Sequence, residues 1–240
     1  MAGLVLCYHA VSATWEHGLS IAPDTFERQL RSLLRRRFRP GTAADAIESR
    51  ARLLHVTFDD AFTSVANALP ALERLGVPAT VFACPGFADG GRPLDVPELA
   101  AEAAAHPEEL ETMDWDALRE LVERGIEVGS HTVGHAHLPQ LGDAELEREL
   151  RESRTRLEDE LGRPCRFVAY PYGEEDARVH AAAEAAGYLA AFALPGRESP
   201  RSRFALPRVG VYRRDSLLRM TLKTVAPVRR LARLGGWQAA

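Results

Sequence analysis

The sequence predicts an α/β domain built on parallel strands, on the basis of two observations. Short apolar runs of strand-like composition alternate with longer helical stretches along most of the chain. Most of these runs are largely apolar, as expected for parallel strands that are covered on both faces. Such an order indicates βαβ units, and therefore either an open doubly wound sheet or a barrel. At 240 residues the chain suits one domain of this kind.

The predicted elements follow one another in a regular order. Strands are predicted at residues 4–8, 53–58, 80–84, 126–130, 167–170 and 189–192. Helices are predicted at residues 23–36, 62–75, 115–124, 143–161 and 176–186. Gly187 follows the last of these, at a common stop position for a helix. The segment 86–97 is rich in Gly, Pro and Asp and is predicted to be a loop.

Composition limits the classes of function and the cellular locations that we expect for this chain. The net charge of -4 gives no reason to expect a nucleic-acid partner. Cys7, Cys84 and Cys165 are scattered, which predicts buried thiols rather than a disulfide framework or a zinc knuckle. Residues 1–6 are apolar, but they are too few for a membrane span and lack a basic leader. We therefore expect a cytoplasmic protein, or one associated with the cytoplasmic side of a membrane, with export left open.

The end of the chain differs in charge from the rest. No acidic residue follows Asp215, whereas basic residues continue to Arg233. We predict a catalytic domain at residues 1–215 and a basic, mainly helical tail at 216–240. This tail is predicted to be solvated or to contact a membrane surface or a partner protein.

Two adjacent carboxylates, Asp59 and Asp60, follow the predicted strand 53–58. In parallel α/β architectures, functional groups gather where strands end. Neighbouring side chains point in different directions, so one carboxylate can bind a metal while the other accepts a proton. Taken alone, the pair is also compatible with a helix cap, a turn or solvated charges.

Two histidines, His131 and His135, follow the predicted strand 126–130. Their i, i+4 spacing predicts that both imidazoles lie on one face of a helical turn, where two nitrogens reach one ion. Together with a carboxylate they form a set suited to Zn²⁺ or a similar divalent ion. A helix cap or a packed polar pair is the alternative. His137 is predicted to lie off that face, beside the site or on the surface.

The segment 167–173 reads Phe-Val-Ala-Tyr-Pro-Tyr-Gly and predicts a strand that runs into a proline-containing turn. Such a turn can direct a backbone N–H toward a developing oxyanion, as acyl-transfer chemistry requires. In isolation, an ordinary strand end would have the same pattern.

Taken together, these segments resemble the NodB-homology polysaccharide deacetylases, also called carbohydrate esterase family 4. Residues 57–60 resemble the family's first motif, residues 131–135 its H-[ST]-x-x-H second motif, and residues 170–173 part of its third. Residues 76–82 are similar to the strand between the first two motifs. Tyr8-His9-Ala-Val resembles the opening of a branch that includes biofilm poly-N-acetylglucosamine deacetylases. The motifs occur in the family's order over roughly residues 4–212.

The resemblance implies an irregular (β/α) barrel of parallel strands and a hydrolase that removes N-acetyl groups from an amino sugar in an oligo- or polysaccharide. It implies that Asp60, His131 and His135 bind a divalent metal, Zn²⁺ first, with Co²⁺ or Ni²⁺ as alternatives. Asp59 would be the general base. The metal would polarise the acetamide carbonyl and lower the pKa of its water. The backbone N–H of Tyr172 would help to hold the oxyanion.

The chain departs from the family pattern in two places. The third motif usually carries an arginine that positions the base, but Ala169 occupies that position, and Arg166 is a candidate substitute. The late Leu-His motif that supplies the acid is also missing, since no histidine follows His180. We predict that His9, at the end of the first strand, supplies the proton; a buried structural role is the alternative. Arg208 is predicted either to bind a substrate oxygen or to pair with a carboxylate.

Other functions fit the same residues. The metal site could remove O-acetyl groups, for example from acetylated xylan, or open a cyclic amide or ureide. A non-catalytic carbohydrate-binding protein is a different class, which the missing late histidine favours. The retention of a complete set of base and ligands opposes it. For the leading function the expected partner is a carbohydrate substrate.

Overall fold

Parallel strands form a nearly closed barrel with helices around it. The computed structural model describes residues 3–48, 52–194 and 202–224. Its strands are β1 (Leu4–Tyr8), β2 (Ala10–Val11), β3 (Ser20–Ile21), β4 (Arg39–Pro40), β5 (Leu53–Phe58), β6 (Ala79–Ala83), β7 (Glu127–Ser130), β8 (Phe167–Ala169), β9 (Ala190–Ala193), β10 (Leu206–Pro207) and β11 (Val209–Gly210). Its α-helices are α1 (Pro23–Arg35), α2 (Ala43–Glu48), α3 (Leu69–Leu75), α4 (Pro85–Ala88), α5 (Ala100–Ala105), α6 (Trp115–Glu123), α7 (Asp143–Leu161), α8 (Ala177–Ala185) and α9 (Leu217–Thr224). Turns of 3₁₀-helix occur at Thr63–Ala68, Pro97–Leu99, Pro107–Glu109, Leu138–Gln140 and Pro171–Gly173.

The barrel strands follow the order β10-β9-β8-β7-β6-β5-β1-β11, and every neighbouring pair is parallel. Only Arg208 separates β10 from β11 along the chain. One extended segment therefore pairs with β9 on one side and with β1 on the other, and it joins the two edges of the sheet. The predicted parallel barrel is confirmed, and the open doubly wound sheet is not formed.

Successive residues of a strand point to opposite faces, so β1 contributes to two different cores. Leu4 and Leu6 belong to the large cluster that includes Phe26 of α1, which covers the outside of the sheet. Val5 belongs to a smaller cluster with Phe82 and Phe192, which lies inside the barrel. Because this part of the interior is apolar, the polar side chains of the site lie at the carboxyl ends of the strands.

Gly129 of β7 makes room for one of these interior rings. A Cβ atom at this position would lie 2.6 Å from the Phe82 ring and 3.0 Å from the carbonyl oxygen of Phe167. The unobstructed Phe82 ring lies under Arg208, whose Cζ is 5.6 Å from the ring centroid. A glycine on β7 therefore shapes the floor of the polar region described below.

Several predicted elements have the predicted bounds, most others differ by one residue at one or both ends, and the two larger differences lie at proline residues. The strands at 4–8 and 53–58 and the helix at 143–161 occur as predicted. The predicted helix 62–75 instead begins as a 3₁₀ turn, and α3 starts at Leu69 with Pro70 in its first turn. Proline lacks the N–H that a continuous helix would need there. The predicted loop 86–97 includes part of α4 and the start of the turn Pro97–Leu99.

The C-terminal region is only partly described. Helix α9 covers residues 217–224, and the remainder of the predicted tail, 225–240, lies outside the described residues. The division at residue 215 therefore stays a prediction. The three cysteines are free and buried, as predicted. Within the described ranges, no helix combines the length and the apolar character needed to cross a membrane.

Candidate active site

The polar side chains predicted from separate motifs meet at the carboxyl ends of the barrel strands. Asp59 follows β5, His131 follows β7 and His9 follows β1. Tyr172 lies three residues after β8, in the turn Pro171–Gly173. Because the strands are parallel, their carboxyl ends lie at one rim of the barrel, the usual position of active sites in such folds.

Asp60, His131 and His135 form a tight buried group. One possible ligand atom from each residue lies within 4.8 Å of the other two. The Nε2 atoms of His131 and His135 are 3.5 Å and 3.2 Å from Oδ1 of Asp60. The three predicted ligands are therefore brought together as the motifs suggested.

His131 also has the protonation state that a divalent metal requires of an imidazole ligand. Nδ1 of His131 lies 2.7 Å from the carbonyl oxygen of Ala169, so the proton belongs on Nδ1 and the Nε2 lone pair faces Asp60. Burial lowers the pKa of His131 to about 4, against the opposing charge of Asp59. Oδ1 of Asp60 accepts no hydrogen bond from any residue that the structure describes. An unsatisfied buried carboxylate oxygen facing two imidazoles fits Zn²⁺ or a similar cation.

The prediction that the two histidines share one face of a helical turn is wrong. Residues 131–135 form a loop in which Thr132 and His135 have φ angles of 68° and 59°. Oε2 of Glu149, on α7, accepts hydrogen bonds from the N–H groups of Val133 and Gly134, both at 2.9 Å. The left-handed residues curl the chain so that the imidazole centroids are 5.0 Å apart. Side-chain anchoring, rather than helix periodicity, therefore brings the two rings together.

Asp59 points into the barrel and is held by Arg208. The guanidinium donates from Nη1 to Oδ1 at 2.5 Å and from Nη2 to Oδ2 at 2.8 Å. The thiol of Cys7 donates to Oδ2 at 3.3 Å. Burial acts to raise the pKa of Asp59, but the charge of Arg208 and the hydrogen bonds that Arg208 donates bring it well below its usual value. Asp59 is therefore ionised and fixed in orientation.

The positions of Arg166 and Arg208 decide between the roles that were predicted for them. Arg166 pairs with Glu127 at 2.7 Å on the exposed side, near the beginning of the strands, so its proposed substitution for the missing arginine is wrong. Arg208 has a fully buried side chain, and both of its Nη atoms bond to Asp59. Of its two predicted roles, the structure therefore supports pairing with a carboxylate. The contact of Cys7 was missed, although the alternation of β1 places Cys7 and His9 on the same face.

His9 lies in the same pocket as the base. A ring nitrogen of His9, Sγ of Cys7 and a carboxylate oxygen of Asp59 are all within 4.8 Å of one another. Nδ1 of His9 is buried and has no hydrogen-bond partner among the described residues. The ring stacks loosely on Tyr212, with 6.5 Å between centroids. The position meets the geometric condition for a proton donor, and the role itself stays a prediction.

Tyr172 occupies a left-handed backbone conformation, with φ 58° and ψ 0°. Its N–H makes no hydrogen bond within the described part of the chain. Its ring meets that of His135 edge-on at 4.7 Å. The turn thus places a free backbone donor next to a candidate metal ligand.

Three linked polar residues hold the Tyr172 side chain directly or through one another. We call Glu98, His137 and Glu174 the Tyr172 clamp. The Tyr172 hydroxyl donates to Oε2 of Glu98 at 2.7 Å, and the His137 ring stacks on the Tyr172 ring at 3.8 Å. The ring nitrogens of His137 lie 3.1 Å from Oε1 of Glu98 and 2.9 Å from Oε2 of Glu174. His137 therefore lies beside the site, as predicted. Glu98 was missed because it belongs to a loop segment with no motif.

Comparison with known proteins identifies the family. Residues 46–191 match the sequence profile described as polysaccharide deacetylase, which is more than half of the chain. The chain belongs to the polysaccharide deacetylase family. Deacetylation of a polysaccharide is the activity that this membership supports.

Individual relatives agree with the family assignment. The chain is 24% identical over 217 residues to YxkH of Bacillus subtilis (strain 168), covering 86% of this chain and 70% of YxkH. The structure of IcaB from Ammonifex degensii is similar with a TM-score of 0.75 and 25% identity, covering 91% of this chain and 94% of that one. A polysaccharide deacetylase from Bacillus cereus shares the fold with a TM-score of 0.73 and 24% identity, covering 92% of this chain and 68% of that one. The NodB-like barrel predicted from the motifs is confirmed.

Proposed function

We propose that this family member is a metal-dependent hydrolase that removes N-acetyl groups from amino sugars of an oligo- or polysaccharide. The observation that carries the proposal is the juxtaposition of an ionised base with a separate candidate metal triad. Asp59 is fixed by Arg208, while Asp60 faces two imidazole nitrogens. This division of labour between neighbouring carboxylates is what a hydrolytic site with one metal and one general base needs.

Asp60, His131 and His135 would hold the metal. When bound there, a divalent cation would act as a Lewis acid on the acetyl carbonyl and promote ionisation of a water molecule. Zn²⁺ is our first choice, because one carboxylate and two imidazoles form a set common in catalytic zinc sites; Co²⁺ or Ni²⁺ would accept the same donors.

Asp59 would take the proton from the attacking water. A carboxylate accepts in roughly four lone-pair directions. Arg208 and Cys7 occupy three of them, one on Oδ1 and two on Oδ2. One direction on Oδ1 is left for the water. The bidentate pair fixes the orientation of the Asp59 carboxylate and keeps it ionised. It also makes Asp59 a weaker base, because it lowers the pKa of the carboxyl group.

Tyr172 and His9 would complete the reaction. The free N–H of Tyr172 would donate to the oxyanion that forms on the acetyl carbonyl. The His9 ring would then donate a proton to the leaving nitrogen, so that acetate and a free sugar amine result. An amide nitrogen leaves poorly without this proton, and the nearness of His9 to the base therefore supports N-acetyl rather than O-acetyl substrates.

A substrate comparison tests the proposal. Purified protein supplied with Zn²⁺ or Co²⁺ is incubated with chitooligosaccharides, acetylated xylan and allantoin, and acetate or ureide cleavage is measured. We expect acetate mainly from the chitooligosaccharides. Acetate from xylan alone would indicate an O-acetyl esterase, cleavage of allantoin alone a ureide hydrolase, and binding without cleavage a carbohydrate-binding protein.

We also propose that the C-terminal region contacts an anionic membrane surface. Leu217, Leu218 and Leu222 of α9 are exposed, and the chain beyond Asp215 carries only basic charges. Exposed leucines next to basic residues favour the surface of an anionic bilayer. Co-sedimentation with vesicles that contain phosphatidylglycerol, compared with neutral vesicles, tests this. Equal recovery from both would contradict it. A cytoplasmic-side location remains a prediction that depends on this contact.

A further inference from the structure

The backbone of Tyr172 is held in a conformation that tyrosine rarely adopts. Tyr172 and Gly173 are consecutive residues with positive φ, 58° and 71°. Glycine adopts this region freely, whereas a residue with a Cβ atom does so at a cost. Such a residue stays in place only where its surroundings hold it there.

Backbone hydrogen bonds from Gly173 to Tyr170 and from Glu174 to Pro171 close the turn, and the Tyr172 side chain adds contacts of its own. The hydroxyl of Tyr172 bonds to Glu98, and its ring lies between His137, stacked at 3.8 Å with an interplanar angle of 3°, and the edge of His135. Glu98 also contacts His137, which in turn contacts Glu174. Each end of the Tyr172 side chain is therefore fixed by a different part of the chain.

Glu98 is well suited to hold the ring because its own segment is anchored. It lies in the 3₁₀ turn Pro97–Leu99, and Leu99 is buried in a cluster with Trp15 and Phe62. The carboxylate itself is 45% exposed, so its contacts contribute little to the stability of the fold. An anchored backbone carrying an exposed carboxylate is better explained by positioning of Tyr172 than by folding.

We propose that Glu98 is a positioning residue, which through the Tyr172 hydroxyl and His137 fixes the Tyr172 N–H in the direction of the acyl oxyanion. The inference rests on the proposed function, since it assigns the N–H of Tyr172 to the oxyanion. The proposed role of Glu98 adds a structural requirement that none of the sequence motifs includes. A loop between β6 and β7 must reach across to the turn after β8.

Kinetic comparison of four variants tests the proposal. Glu98→Ala removes both contacts of the carboxylate, and Tyr172→Phe removes only the hydroxyl. Glu98→Gln keeps an acceptor for the hydroxyl, while an amide donor can replace the acceptor that faces His137. Asp95→Ala is the matched control, because it removes an exposed acid of the same loop. We expect kcat on a chitooligosaccharide to fall about tenfold in Glu98→Ala and Tyr172→Phe, a fraction of the loss typical for removal of an oxyanion donor. KM, metal content and the thermal midpoint should stay unchanged.

Two further results separate positioning from a general structural role. The double variant Glu98→Ala/Tyr172→Phe should lose no more activity than Glu98→Ala alone, because Glu98→Ala already removes the contact that Tyr172→Phe removes. Glu98→Gln should recover most of kcat. Additive losses, or equal losses in Asp95→Ala, would overturn the proposal.

A readout independent of turnover separates this inference from the proposed function. Labelling with ¹⁵N-tyrosine gives one amide signal for each of the 5 tyrosines. The Tyr172 signal should move in Glu98→Ala and stay in place in Asp95→Ala. If the Tyr172 signal does not move in Glu98→Ala, the positioning role of Glu98 is overturned even if the enzyme is active. A moved signal in a protein that releases no acetate from any substrate would instead count against the proposed function.

Discussion

The guanidinium of Arg208 donates two hydrogen bonds to the carboxylate of Asp59, at 2.5 Å and 2.8 Å, inside the barrel. Arg208 is also the single residue between β10 and β11, the strands that join the two edges of the sheet. Closure of the barrel and orientation of the candidate base therefore depend on the same segment. Arg208 thus makes the contact to the candidate base that the family resemblance leads us to expect of the motif arginine, although it comes from a different part of the chain.

Replacement of Arg208 by methionine should lower the free energy of unfolding by about 3–5 kcal/mol, because Asp59 is then left as an unpaired buried charge. The additional change Asp59→Asn should restore part of the loss by removing that charge. Urea unfolding of both variants and of Asp59→Asn alone measures the coupling. A double variant whose stability is simply the sum of the two single effects would show that the pair is not coupled.

Asp59→Asn should abolish turnover and leave metal binding largely unchanged. Asparagine keeps the shape of the side chain but is not an effective proton acceptor. Acetate release and metal content, measured on the same preparation, check this, with Asp95→Asn as an exposed control. Activity close to wild type would remove Asp59 from the role of base.

Replacement of either His131 or His135 by alanine should reduce bound metal from about one divalent ion per chain to almost none. Each change deletes one of three donors that lie within 4.8 Å of one another. Elemental analysis after dialysis measures the content, and His106→Ala, at an exposed histidine, is the matched control. Retention of metal in both site variants would mean that the ion binds elsewhere.

His9→Gln should reduce hydrolysis of the sugar amide by about 10²–10⁴-fold, the range typical for loss of a general acid. Hydrolysis of 4-nitrophenyl acetate should fall much less, because a nitrophenolate leaves without a proton. Parallel assays of the two substrates measure the difference. If both rates fall by the same factor, His9 acts on the fold or the pocket rather than on the leaving group.

Local pattern predicted the parallel strands, the family resemblance predicted the barrel, and the motifs predicted most of the side chains that meet at the site. Strand β5 is a fully buried, mainly apolar run that ends at Phe58, directly before Asp59, and the parallel arrangement then brings Asp59 and His131 to the same rim. The geometry of the histidine loop was not predictable in this way. Its curl depends on Thr132 in a left-handed conformation and on Glu149, which lies on a later helix.

The contacts of Arg208 and Glu98 also lay beyond the sequence for a physical reason. Arg208 is separated from Asp59 by 149 positions, and only the closure of the barrel brings the two together. Glu98 meets Tyr172 through a loop whose path depends on packing around Leu99. Contacts between residues this far apart in the chain leave no periodic pattern in the sequence from which they could be predicted.

The most direct test of the central claim is the ratio of acetate released to primary amine formed on a defined chitooligosaccharide, with Zn²⁺ supplied. The account predicts equal amounts of the two products from the wild-type protein and neither from Asp59→Asn. Acetate without a matching amine, or equal product from Asp59→Asn, would contradict N-deacetylation by this site.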